Sequence, residues 1–73
     1  MILYSNHAEL KIKQRRLKKT QIELTFKEPN FIKSSYDNRK IAERNFGKRN
    51  LRVVFVEEKS DIIIVTAHWT EKK

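Results

Sequence analysis

The sequence predicts an α+β fold: two N-terminal helices packed on an antiparallel sheet of three or four strands. Three observations lead there. Capping residues and helical spacing are confined to the first third of the chain. Pro29 closes that region, since the residue before a proline is pushed out of helical geometry. From Leu51 onward, two runs rich in β-branched residues are separated by a polar turn. Seventy-three residues cannot build a second core, so residues 1–73 are expected to form one domain. Its parts are a helical hairpin over 6–28, a sheet over 31–69 and a frayed tail over 70–73.

The first helix is expected to open at Asn6, which has the capping-box spacing to Glu9; Ser5 is a competing N-cap. From there to Leu17, Ala8, Ile12 and Arg15 or Arg16 share one side, a thin apolar stripe. Thr20 and Glu23 form a second capping box, T-Q-I-E, opening a helix of about two turns that ends before Pro29. Phe31 and Ile32 lead to Tyr36, and Asp37-Asn38 reads as a turn. Residues 39–46 fit strand or helix equally. Gly47 signals a hairpin into a strand over Leu51–Val56. Glu57–Asp61 is the next turn, and Ile62–Trp69 the most strand-like segment of all. Its run Ile62-Ile63-Ile64-Val65 is apolar on both faces, as in a covered central strand.

Composition narrows the function. The chain carries 17 Lys and Arg against 9 Asp and Glu, and residues 11–52 hold 14 of the basic residues with only four acidic ones. That local net of +10, against −2 elsewhere, points to a polyanion: nucleic acid, an acidic membrane surface or an acidic protein. The absence of cysteine excludes a disulfide framework and a thiolate zinc site, and suits a cytoplasmic protein. No apolar run approaches the roughly 20 residues of a membrane helix, and no signal-peptide stretch opens the chain. With two histidines and no carboxylate at ligand spacing, neither a metal site nor a cofactor is expected.

Two basic clusters come from distant parts of the chain. Lys11, Lys13, Arg15, Arg16, Lys18 and Lys19 form the first, and Arg39, Lys40, Arg44, Lys48, Arg49 and Arg52 the second. One run alone reads as a solvated surface; two with few neutralising carboxylates read as a phosphate-binding groove. His7 and His68 are the side chains suited to move protons near neutral pH. Residues two apart on a strand share a face, so Ile62, Ile64, Thr66 and His68 are expected to form one face, greasy at its start and polar at its end. A three-residue loop pairing Glu57 with Asp61 would set Arg52 opposite Thr66 on that face. A loop of two or four residues would turn Arg52 away.

The same residues carry a resemblance. They are an S-x-H-A start at Ser5–Ala8, R-R at Arg15-Arg16, and T-x-x-E at Thr20–Glu23 closed by Pro29. L-R-V-V-F at Leu51–Phe55 and I-I-I-V-T-A-H at Ile62–His68 complete the set. From Tyr4 to Trp69 the chain resembles a widespread uncharacterised family of small bacterial domains, and more distantly the RelE- and BrnT-like ribonuclease toxins of toxin–antitoxin modules. The family's helix-opening histidine falls on His7 and its helical basic positions on Lys11, where arginine is commoner, and Arg15. Its final-strand hydroxyl falls on Thr66. His68 occupies a position often aromatic, and Arg16 stands where the family usually has glycine. The resemblance implies a RelE-like fold, metal-free RNA cleavage, and silencing by an antitoxin that covers the site.

Such cleavage needs a base for the 2′-hydroxyl, cations for the phosphate and an acid for the leaving 5′-oxygen. His7 and His68 are the candidate acid and base, with Thr66 positioning the phosphate. Arg15, Arg44 and Arg52 are the candidate clamps, supported by Lys11 and Arg16, because a guanidinium grips two oxygens at once. The competing classes are a basic module that holds RNA or DNA without cutting it and a protein that docks an acidic partner. In the first, Tyr4, Tyr36, Phe46 or Trp69 would stack bases, although core packing is the preferred reading of Phe46 and Trp69.

Overall fold

The computed structural model describes residues 1–71 as two helices and a five-stranded mixed sheet. In chain order the elements are β1 (Ile2–Tyr4), α1 (Asn6–Gln14), α2 (Lys19–Lys27), β2 (Phe31–Ser34), β3 (Arg39–Asn45), β4 (Arg49–Glu58) and β5 (Asp61–Glu71). The strands lie in the order β1-β5-β4-β3-β2. All neighbours are antiparallel except β1, which runs parallel to β5 through Ile2↔Ile62, Leu3↔Ile63 and Tyr4↔Ile64. The expected α+β class holds, but the sheet has one more strand than expected and is not wholly antiparallel. β1 is three residues long, too short to show a period, and only pairing with β5 makes it a strand. Of residues 39–46, ambiguous by pattern, Arg39–Asn45 form strand β3. β5 takes in Thr70 and Glu71, placed above in a frayed tail; positions 72–73 lie outside the described residues.

Ser5, not Asn6, caps α1: its Oγ accepts from the Ala8 amide at 3.0 Å. The helix stops at Gln14, with Arg15 as C-cap and Arg16 left-handed at φ +53°. The Arg16 amide donates to the Lys13 carbonyl and the Leu17 amide to that of Ile12, the paired bonds of a Schellman stop. Glycine takes this conformation freely, which gives Arg16 a conformational penalty. α2 begins at Lys19, its N-cap two residues before the expected Thr20. Lys18 is its N-cap, and Gln21 Oε1 accepts the Lys18 amide at 3.2 Å. Glu23 instead receives the Tyr4 hydroxyl at 3.5 Å. Asp37 and Asn38 both have positive φ (55° and 61°), and the Arg39 amide bonds the Tyr36 carbonyl. That is the primed turn a twisted hairpin favours.

Both helices cover one face of the sheet, α1 over β5 and α2 over β4 and β3. Ala8 and Ile12 of α1 and Ile22 of α2 meet Ala42, Leu51, Val53, Phe55, Ile64 and Ala67 in one buried cluster. Phe26 meets Phe55 edge-to-face at 4.7 Å. The opposite face has no covering element among the described residues.

Candidate phosphate-binding site

β4 keeps strict alternation, with Leu51, Val53 and Phe55 buried. β5 does not: Ile64 and Ala67, three apart, are both buried. Val65 is the extra residue. Phe55 pairs with Ile64 and Val54 with Thr66, leaving Val65 out of the ladder as a β-bulge. Ile62 and Ile64 therefore pack on the helix side, whereas Thr66 and His68 turn to the bare face. The expectation of one continuous face from Ile62 to His68 is thus corrected. The hairpin loop is the two-residue Lys59-Ser60, which by itself would turn Arg52 away from Thr66. The bulge reverses that parity and pairs Arg52 directly with His68. Cross-strand partners have Cβ atoms about 5 Å apart, and Thr66 lies about 7 Å along β5 on the same face.

The row extends to a third strand. Glu43 of β3 pairs with Arg52. Its carboxylate, 7% exposed, accepts Arg52 Nε at 2.8 Å on one oxygen and Asn50 Nδ2 at 2.8 Å on the other. Burial alone would raise the Glu43 pKa. The two hydrogen bonds and the charges of Arg52 and Lys33 outweigh it and hold the group below its ordinary value.

β1 pairs with β5 only as far as Ile64, and α1 takes up carbonyls beyond it. Ser5 Oγ donates to the Val65 carbonyl at 3.3 Å, and Arg15 donates to that of Ala67 at 2.7 Å. The latter bond anchors Arg15 beside His68. Burial first, then repulsion from Arg15 and Arg52, pushes the His68 pKa below its ordinary value; Glu43 pulls weakly the other way. These effects favour the neutral imidazole, the form able to accept a proton, with two guanidinium groups at its side.

Of the expected site residues, Thr66, His68, Arg52 and Arg15 come together. Lys11 precedes Arg15 by one helical turn on the same flank, its Nζ donating to Gln14 Oε1 at 3.2 Å. His7 is exposed one turn earlier still, about 12 Å along the helix from Arg15, and makes no hydrogen bond or ion pair among the described residues. Arg16 is exposed in the helix stop. Arg44 is placed elsewhere. It pairs with Leu51 on the helix side, donates to the Glu28 carbonyl and stacks 5.6 Å from the Phe46 ring. Residue pattern does not single out Glu43 and Asn50. A single carboxylate within a basic stretch was their only trace, and strand register alone reveals its role.

The aromatic residues divide in the same way. Phe46 and Trp69 pack edge-to-face at 5.7 Å on the helix side, with Arg49 4.4 Å above the indole. Tyr4 is half-buried under Lys19, and burial together with Glu23 pushes its pKa up to about 12. Tyr36, at the β2–β3 turn, is 86% exposed. Among the described residues no three His, Asp or Glu side chains are grouped to hold a metal ion, and no helix is long and apolar enough to cross a membrane.

The His68 cluster lies on an open sheet surface. Grooves of about 400 and 380 Å³ lie elsewhere, beside Lys40 and Glu57 and beside Trp69. An open surface with Arg15 and Arg52 at His68 suits an extended anion better than an enclosed small molecule. No curated protein and no solved structure matches the chain. One family model does match, over residues 4–69, and the chain therefore belongs to that family, described as a domain of unknown function (DUF4258).

Proposed function

We propose that the domain is a metal-independent endoribonuclease that cuts RNA by attack of the 2′-hydroxyl. The observation that carries this reading is the imidazole of His68 set between its cross-strand partner Arg52 and the anchored Arg15 on a bare sheet face. In the proposed reaction His68 removes the 2′-hydroxyl proton and the 2′-oxygen bonds to phosphorus. The bond to the 5′-oxygen breaks, leaving a 2′,3′-cyclic phosphate. Arg15 and Arg52 stabilise the charge that gathers on the phosphate, and Thr66 donates to it. His7, expected from the sequence as acid or base, stands about 12 Å along α1 from Arg15, out of reach of a phosphate held there, so the departing 5′-oxygen takes its proton from water. DNA is refused because it lacks the nucleophile.

Two helices on one side of the sheet and the candidate site on the other support a RelE-like arrangement. They also support the role of a RelE- or BrnT-like toxin whose cognate acidic antitoxin would cover the bare face. The test is incubation of the purified protein with RNA and a chelator. The expected result is cleavage with cyclic phosphate ends, reduced ~10²–10⁴-fold in His68→Ala. If His68→Ala cuts as fast as the parent, the assignment fails. The highly exposed Tyr36 beside cationic β3 favours a second reading, a nucleic-acid-binding module without catalysis. Salt-dependent binding without cleavage would select it.

A further inference from the structure

We propose that Glu43 is a positioning residue: it grips Arg52 by Nε so that the terminal guanidinium nitrogens are presented to a phosphate beside His68. The inference rests on the ribonuclease reading in taking that phosphate to belong to RNA.

A carboxylate buried in mid-strand is costly unless paired, and buried ion pairs are poor devices for stability alone. Glu43 is 6% exposed on the face that carries Arg52 and His68. Its two oxygens are held by different residues, Arg52 and Asn50, so the carboxylate has one orientation. Arg52 gives it Nε, and the terminal nitrogens of Arg52 make no hydrogen bond among the described residues. Those nitrogens are the fork with which a guanidinium grips two phosphate oxygens. Glu43, Arg52 and His68 stand in one cross-strand row over β3, β4 and β5. An arginine held by the carboxylate beside it in this row has lost its freedom before the ligand arrives, which reduces the ordering cost of binding.

Simple electrostatics makes the opposite prediction. Glu43 is a negative charge near the anion, so on charge alone its removal should tighten binding. The experiment is a titration of the full chain with inorganic phosphate at fixed ionic strength, followed by NMR at His68 and the Arg52 side chain. The parent should saturate. Glu43→Gln keeps an acceptor for Arg52 Nε and should bind within about two-fold of the parent. Glu43→Met removes both charge and acceptor and should bind at least about five-fold more weakly, although its net charge is more positive. Should the Met variant lose its native spectrum, Glu43→Thr, a good strand former too short to reach Arg52, carries the same expectation. Equal or tighter binding by the Met or Thr variant overturns the role of Glu43 and leaves the pocket intact. A parent that gives no saturable response overturns both the role and the pocket.

Discussion

Arg52 faces His68 across β4 and β5 because Val65 is bulged out of the ladder between them. One extra residue in β5 lets the same strand bury Ile62 and Ile64 against the helices and then turn Thr66 and His68 to the bare face. Bulges re-aim side chains in this way next to functional sites. Here the bulge sets the guanidinium and imidazole side by side on a surface otherwise dictated by core packing.

The first prediction concerns that pair. Burial, then Arg15 and Arg52, depress the His68 pKa, so its NMR titration midpoint should fall below the ordinary 6.5 and rise in Arg52→Gln and in Arg15→Gln. The sign for stability follows. Below 6.5 the unfolded chain takes up the His68 proton before the folded one does, so this group's contribution falls as pH drops from 6.5 through the folded midpoint. His68→Asn should remove that component. Denaturant unfolding at several pH values checks it, and a contribution that grows on acidification would contradict it.

A second prediction addresses the helix stop. Arg16 holds φ +53° where glycine would be unstrained. Arg16→Gly should therefore raise stability by about 1 kcal/mol in urea unfolding, despite the greater entropy of an unfolded glycine. Lower stability in the variant would mean that the arginine side chain makes a compensating contact.

Ser5 joins two elements, capping α1 through Ala8 and donating to Val65 at the bulge. Ser5→Ala should cost about 1–2 kcal/mol, at the upper end for loss of an N-cap. Hydrogen exchange should quicken in both the first turn of α1 and the Val65–Thr66 segment. Exchange confined to the helix would separate the cap from the bulge.

Finally, two arginines of similar sequence context should behave differently. Arg44 is tied to the end of α2 on the helix side, while Arg52 faces His68. Arg44→Ala should reduce stability and leave phosphate affinity within about two-fold, whereas Arg52→Ala should weaken it about ten-fold. Equal losses of affinity would place the anion elsewhere on the sheet.

Much of the fold is legible in local chemistry. The helical hairpin, its end at Pro29, the Asp37-Asn38 turn and the two long C-terminal strands follow from short-range preferences for particular backbone angles and from the grouping of apolar residues. The α1 cap shifts by one residue because Ser5 and Asn6 are almost equally good. The position of the sheet, which offers Ser5 the Val65 carbonyl, decides between them. β1 leaves no local signal, since three residues become a strand only through a parallel partner some sixty positions away.

The candidate site divides along the same line. Residue type by itself marks His68, Arg15 and Arg52 as a candidate proton carrier and candidate anion ligands, because imidazole and guanidinium keep their chemistry wherever they stand. Which of the basic residues converge was settled by strand register, and register has a period of two, so one bulged residue sends a side chain to the opposite face. Arg44 and Arg52 look alike in sequence, yet one clasps a helix end and the other meets His68. Glu43 becomes interpretable only in the folded sheet, where three strands bring a carboxylate, a guanidinium and an imidazole into one row.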